Sequence, residues 1–215
     1  VSSLAGSLGI SLDGITVVDH TDPGKVEQFT SEYAKINPDF PASAVKRMLR
    51  DPLHFAAMMV KLSEADCMVA GLSHTTGEVI MASEMIIGLQ EGISTVSSTG
   101  ILAIPGYDGP QGNLLGIADC AVCPAPDSRE LADIAISTAD TLHKLLGWEP
   151  RVALLSFSTK GSASHERVDT VLQALEMVRE RRPELLIDGE LQLDSAIVPE
   201  VAARKVRGES PVAGK

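Results

Sequence analysis

Apolar residues recur at helical spacing through Val26, Phe29, Tyr33 and Ile36, opened by Pro23 at a first-turn position where a missing amide costs nothing. The same period returns after Pro41 and after Pro52, where Phe55, Met58, Met59 and Leu62 share a face, and again from about Thr76 through Val79, Ile80, Met85, Ile86 and Leu89. Two short apolar runs, residues 15–18 ahead of these helices and 68–71 before the last of them, read as strands, the second of them buried. From Ser94 the texture changes. Residues 95–105 are rich in β-branched side chains, a Gly/Pro/Asp loop follows, and 114–119 resumes strand character, which predicts a hairpin and a domain boundary near Gly92. The expected units are therefore 1–92 and 93–215. Asp127 with Glu130 three residues later is a capping-box start for a long helix that Gly147 closes. A strand (152–155), a helix through Val168, Val171, Leu172, Leu175 and Val178 with Ser164 as N-cap, a strand (185–187) and a helix through Ile197, Val201 and Val206 complete the chain. Strands alternating with helices predict an α/β fold with a largely parallel sheet.

Three connections carry candidate chemistry, each after a predicted strand, where open α/β sheets bind ligands. Ser158, Thr159, Lys160, Gly161 and Ser162 supply hydroxyls, one fixed cation and a glycine for close backbone approach, the parts that hold a phosphate-sized anion. An ordinary Gly/Ser connection with a solvated lysine is the plainer alternative. Ser73, His74, Thr75 and Thr76 stand before a helix whose first-turn amides can receive an anion, with His74 available as donor, acid or base; the plainer reading is a threonine cap beside a packed histidine. Asp188, Glu190, Gln192 and Asp194 crowd the third connection. Their spacing matches no calcium loop, so an anion-flanking, hydrogen-bonding role is preferred and no metal is expected. All three are expected to converge on one cleft between two α/β lobes.

At 215 residues, with 44% hydrophobic and 22% charged content, the chain has enough apolar matter for a folded core. Only 3% of residues are aromatic, so aliphatic side chains must do most of the packing. A net charge of −11 with no basic run argues against nucleic acid, and the Arg179–Arg182 cluster reads as a solvated helix end. Cys67, Cys120 and Cys123 form no disulfide framework and read as buried small hydrophobes. With no signal peptide and no apolar run near ~18 residues, a cytoplasmic protein without membrane contact is expected.

The run from Ala65 to Gly71 followed by His74, Thr75 and Thr76 resembles the phosphotransacetylase (phosphate acetyl/butyryltransferase) family. So do the blocks 152–162, 186–192 and 210–215. The resemblance implies a two-lobed fold related to the isocitrate/isopropylmalate dehydrogenases, homodimers, and acyl transfer between phosphate and coenzyme A, the latter as substrate with no further cofactor. It assigns Ser158 to Ser162 to phosphate or acyl phosphate, and Ser73 to Thr76 with Glu190 and Gln192 to the coenzyme A and substrate cleft. Met81 stands where the family commonly has an arginine. Members begin earlier and continue past Lys215, with a Ser-Arg pair and an aspartate of catalysis in that tail, so little turnover is expected from these residues alone. The rival expectation is a non-catalytic domain that senses acyl-CoA within a larger enzyme. A dehydrogenase of the related fold is disfavoured, because no Gly-x-Gly-x-x-Gly follows a strand.

Overall fold

The computed structural model describes residues 1–215 as two compact units, Val1–Gly88 and Leu89–Lys215. The first contains helices only: α1 (Ser2–Ser7), α2 (Pro23–Ile36), α3 (Ala42–Met48), α4 (Pro52–Lys61) and α5 (Thr76–Ile86). Asp22 and Asp51 cap α2 and α4 by accepting from Lys25 N and Leu53 N, and Pro23 and Pro52 follow at the first turn. The apolar faces seen in the sequence meet in a core of Phe29, Tyr33, Val45, Leu49, Phe55, Met58 and Ile86.

The expected strands at 15–18 and 68–71 do not form. Neither run lies beside another strand, so its amides and carbonyls have no ladder to join, and both remain irregular. Ile15, Val17, Val18, Val69 and Leu72 are exposed, which also corrects the burial expected at 68–71.

The second unit is mixed α/β. It runs β1 (Thr99–Ala103), β2 (Leu114–Ala118), α6 (Ser128–Leu146), β3 (Arg151–Leu155), α7 (Glu166–Arg181), β4 (Leu186–Leu191), α8 (Leu193–Ile197) and α9 (Pro199–Lys205). The sheet is not one parallel layer. β1 and β2 pair as the expected antiparallel hairpin, β3 and β4 pair in parallel, and each strand has one neighbour. The capping box of Asp127 and Glu130 opens α6, and Gly147 closes it in the left-handed region at φ +67°. α6 and α7 bury Ala132, Ala135, Ile136, Val171, Ala174, Leu175 and Val178 against Leu154 and Ile187. β2 and β3 both line an apolar groove of about 320 Å³ together with one face of α6 (Leu131, Ile134, Ala135, Thr138, Leu142).

Three local readings change. The N-cap of α7 is His165, whose ring accepts from Arg167 N, rather than Ser164. The closing helix is broken into α8 and α9 because Pro199 has no amide to continue the ladder. None of the cysteines is buried: Cys67 and Cys120 are exposed and Cys123 is intermediate. Cys67 lies in the irregular 68–71 neighbourhood. The backbone around Cys120 and Cys123 is held by Asp119, which accepts from the amides of Ser98, Val122 and Cys123.

β4 runs from Leu186 through Leu191, four residues past the expected strand end at 187, so Asp188 and Glu190, expected on a connection, lie in the strand. It remains a strand because Gly189 lets it lie flush on β3: a Cβ there would sit 2.9 Å from Leu154 Cβ and 3.1 Å from Leu154 O. Gly189→Ala is therefore expected to destabilise the second unit by about 1–3 kcal/mol. The fluorescence of Trp148, the single tryptophan, reports the shift of the urea midpoint.

Candidate active site

The ladder between β3 and β4 slips by one residue. Leu154 opposes Gly189 and Leu155 opposes Leu191, which leaves Glu190 as the unpaired residue of a bulge. A bulge re-aims a side chain, and here the carboxyl of Glu190 reaches under the loop that follows β3. Its Oε1 accepts the Ser158 hydroxyl at 2.9 Å and the Gly161 amide at 2.7 Å, while its carbonyl accepts Lys160 N at 3.2 Å. Glu190 is 1% exposed and Ser158 fully buried.

The rest of the loop is fixed in the same way. Thr159 N donates to Ser162 Oγ (3.0 Å), and Ala163 N donates to Ser158 Oγ (3.0 Å). Thr159 Oγ1 accepts from Gln192 N at 2.9 Å and lies 3.3 Å from Gln192 Oε1 and from Ser195 Oγ. These bonds hold Lys160 and Gly161 at φ +47° and +79°. For a lysine that conformation costs roughly 1–2 kcal/mol, so the loop is shaped by its partners and not by local preference. The Ser158 and Thr159 hydroxyls are turned inward and satisfied, whereas Lys160, Gly161 and Ser162 are exposed.

Lys160 is not a freely solvated cation. Its Nζ donates to Asp188 Oδ1 at 2.5 Å and to the Gly189 carbonyl at 2.8 Å. Asp188 is buried in β4 and also accepts from its neighbour's amide Gly189 N (2.9 Å), from Ser210 Oγ (2.6 Å) and from Arg179 Nη2 (3.3 Å). Burial alone would push its carboxyl up. The Lys160 ammonium, the Ser210 hydroxyl and the Gly189 amide outweigh that and hold it below the usual carboxylate range. The three acids of this region do not gather as metal ligands: Asp188 faces Lys160, Glu190 faces Ser158, and Asp194 pairs with Lys205 at 2.7 Å. No group of three or more His, Cys, Asp or Glu is placed to hold a metal ion.

The structure thus brings Ser158, Thr159, Lys160, Gly161, Ser162, Glu190 and Gln192 together within the second unit. Ser73, His74, Thr75 and Thr76 belong to the first unit, at the start of α5. There Thr75 is the N-cap: its hydroxyl accepts Glu78 N at 3.3 Å, and Glu78 Oε2 returns to Thr75 N at 2.7 Å. The α5 amide at Glu78 is therefore already engaged. His74 Nε2 lies 3.5 Å from Asp51 Oδ1, and His54 Nδ1 lies 3.0 Å from the other oxygen of the same carboxylate. Met81 projects outward, 61% exposed.

Sequence reasoning missed Arg179 and Ser210 as members of the Lys160 network. It also read the Arg179–Arg182 cluster as solvated, whereas Arg179, Arg181 and Arg182 each pair with an aspartate (Asp188, Asp133 and Asp140). The usable signal was Gly189 inside a strand, which marks close backbone approach or a bulge.

A parallel β-α-β unit whose strand-end loop carries a lysine, a glycine and a serine on a buried acidic support defines an α/β protein with its candidate site at the carboxyl end of a strand. The whole chain, residues 1–215, matches the family model described as phosphate acetyl/butaryl transferase, and the chain belongs to that family. It is 43% identical over 216 residues to a phosphate acetyltransferase of Clostridium acetobutylicum, covering 100% of this chain and 65% of the relative. A phosphate acetyltransferase of Thermoanaerobacterium thermosaccharolyticum is 40% identical over 209 residues, covering 96% and 63%. Among solved structures, the EutD phosphotransacetylase from Staphylococcus aureus superposes with a TM-score of 0.86 at 30% identity, covering 100% of this chain and 64% of that one. The chain thus spans just under two thirds of the length of these relatives. No helix is long and apolar enough to cross a membrane.

Proposed function

We propose that the protein carrying this chain transfers a short acyl group between coenzyme A and inorganic phosphate: acyl-CoA and phosphate give acyl phosphate and coenzyme A. Family membership and names of relatives support the reaction; the observation that carries the assignment to residues is the Lys160–Gly161–Ser162 rim raised on Glu190. In the direction of acyl-CoA synthesis, the coenzyme A thiolate attacks the acyl phosphate carbonyl carbon, the C–S bond forms, and phosphate leaves with the electrons of the C–O bond. No protein nucleophile is required. Holding the two substrates in line lowers the barrier entropically, and donors on the phosphate stabilise the charge it gains.

In this reading Lys160, Gly161 and Ser162 meet the phosphate, Ser158 and Thr159 set the loop, and Glu190 and Gln192 position it from β4. Ser73, His74, Thr75 and Thr76 are assigned to coenzyme A by the sequence resemblance. The boundary at 92/93, an isocitrate/isopropylmalate dehydrogenase-like fold, a homodimer and a cytoplasmic location complete the proposal. The dehydrogenase-like fold and the homodimer rest on the sequence resemblance, the boundary on the change of texture near Ser94, and the location on three cysteines that form no disulfide framework.

Lys160→Ala in the enzyme that carries this chain is expected to raise the KM for phosphate about tenfold or more, since a charge-assisted contact is worth about 1.5–3 kcal/mol. The KM for coenzyme A should move little. Unchanged constants would remove this loop from the site. A second reading, a non-catalytic acyl-CoA sensor, draws on Met81 and on the α5 amide already occupied by Thr75. Acyl-CoA binding without any phosphate-dependent turnover in the complete protein would favour it.

A further inference from the structure

Asp188 is the one buried carboxylate that two cations share. Lys160 and Arg179 both reach Oδ1, from the loop and from α7, while Ser210 donates to Oδ2 from the segment after α9. The two cations are unequal. Lys160 binds at 2.5 Å and spends a second donor on Gly189 O; Arg179 lies at 3.3 Å, its side chain is 52% exposed, and this is its sole ion pair.

An ammonium has three donors, so Lys160 keeps one for a ligand while docked on Asp188. A phosphate that recruits the ammonium more fully must draw it off the aspartate. Without help that would strand a buried charge, a strongly unfavourable event. Arg179 removes the obstacle: its guanidinium stands at the same oxygen and needs to close by little more than half an ångström to make a tight charge-assisted bond.

Resting on the phosphate reading of the loop, we infer that Asp188 and Arg179 form a counter-ion relay for Lys160: Arg179 takes over Asp188 as the ammonium turns to the anion. Both are positioning residues. Neither needs to touch the ligand, and no covalent step is involved. Lys160, Arg179 and Asp188 sum to one positive formal charge, which the Glu190 carboxyl beneath the loop balances, so the loop meets an anion through placed donors and not through a local excess of charge.

The test is titration of inorganic phosphate by calorimetry into the complete protein that carries this chain, in a double-mutant cycle. Arg179→Gln is expected to weaken phosphate binding about tenfold, and Arg179→Lys to restore most of it. In an Asp188→Asn background, where no buried charge is left to neutralise, Arg179→Gln should have no effect. An equal loss in both backgrounds would mean that Arg179 contacts phosphate directly and would overturn the relay. Should Asp188→Asn fail to fold, Ser210→Ala serves instead: with one donor to Asp188 gone, the cost of losing Arg179 should grow, whereas a direct contact would leave it constant. Trp148 fluorescence verifies that each variant is folded. Lys160→Ala separates the two levels. If it leaves phosphate binding unchanged, the phosphate reading itself fails and takes the relay with it. If it abolishes binding while Arg179→Gln does nothing, the reading stands and the relay falls.

Discussion

Asp133→Ala is expected to cost the second unit about 3–5 kcal/mol, the range for removing one partner of a buried ion pair. Asp133 lies in the second turn of α6, almost wholly buried, and ties together three parts of the unit. Its Oδ2 accepts Ser94 N and Ser94 Oγ at 2.7 and 2.8 Å, and its Oδ1 accepts Arg181 Nη1 at 2.8 Å. Arg181 also donates to Gly92 O at 2.9 Å, so alanine would loosen residues 92–94 together with the end of α7. The Trp148-monitored urea midpoint should fall by about 1–2 M for a slope near 2–3 kcal/mol/M. A shift no larger than that of an exposed control such as Asp169→Ala would refute the role. Burial raises the Asp133 carboxyl, but the Ser94 amide and hydroxyl and the Arg181 guanidinium hold it below its ordinary value. The stability it contributes is therefore fully present above the unfolded carboxylate range. It is lost as pH falls below about 4 and toward the depressed folded value. Wild type should lose stability across that window more steeply than Asp133→Asn.

Glu190→Ala is expected to remove about 3 kcal/mol and, with it, the shape of the loop. The substitution deletes the acceptor of the buried Ser158 hydroxyl and of the Gly161 amide, and an unmet buried donor costs roughly 1–3 kcal/mol. The void under the loop adds to this. Because Lys160 holds a left-handed conformation against its preference, release of Gly161 should let it relax. Amide exchange at residues 158–163 should then rise well beyond the average for the unit, and phosphate affinity should fall although Lys160 is intact. Glu190→Gln, which retains an acceptor oxygen, should restore most of both. A loop that stays protected in Glu190→Ala would show that other bonds suffice to hold it.

Apart from α1, for which the sequence reading held no expectation, the helices were legible because their signals are local. Pro23, Pro52, the Asp127–Glu130 box and Gly147 act within a turn of where they stand, and each marks the boundary found. The hairpin was legible for the same reason. Residues 15–18 and 68–71 were misread because an apolar run states a preference for burial, not the presence of a neighbour, and a strand exists only through its neighbour. The loop 158–162 was recognisable from composition, but its support was not. The bulge at Glu190 arises from register against β3, and the sharing of Asp188 depends on α7 and Ser210 arriving from 9 and 22 positions away. Met81 illustrates the remaining gap: its chemistry is plain in the sequence, and its outward projection is not.

The two paired sheets of the second unit are unequally protected. A two-stranded sheet is at best marginal in water, so each depends on what covers it. β3 and β4 contribute Leu154 and Ile187 to the core built by α6 and α7, whereas Ile101, Leu102 and Ala103 of the hairpin are exposed. Thermal opening will then proceed in order, the hairpin first and the β3–β4 pair last, with exchange protection graded accordingly. The 158–162 loop springs from the end of β3 and is bolted to β4. It rides on the portion of the unit that survives longest, so partial opening elsewhere leaves its geometry in place.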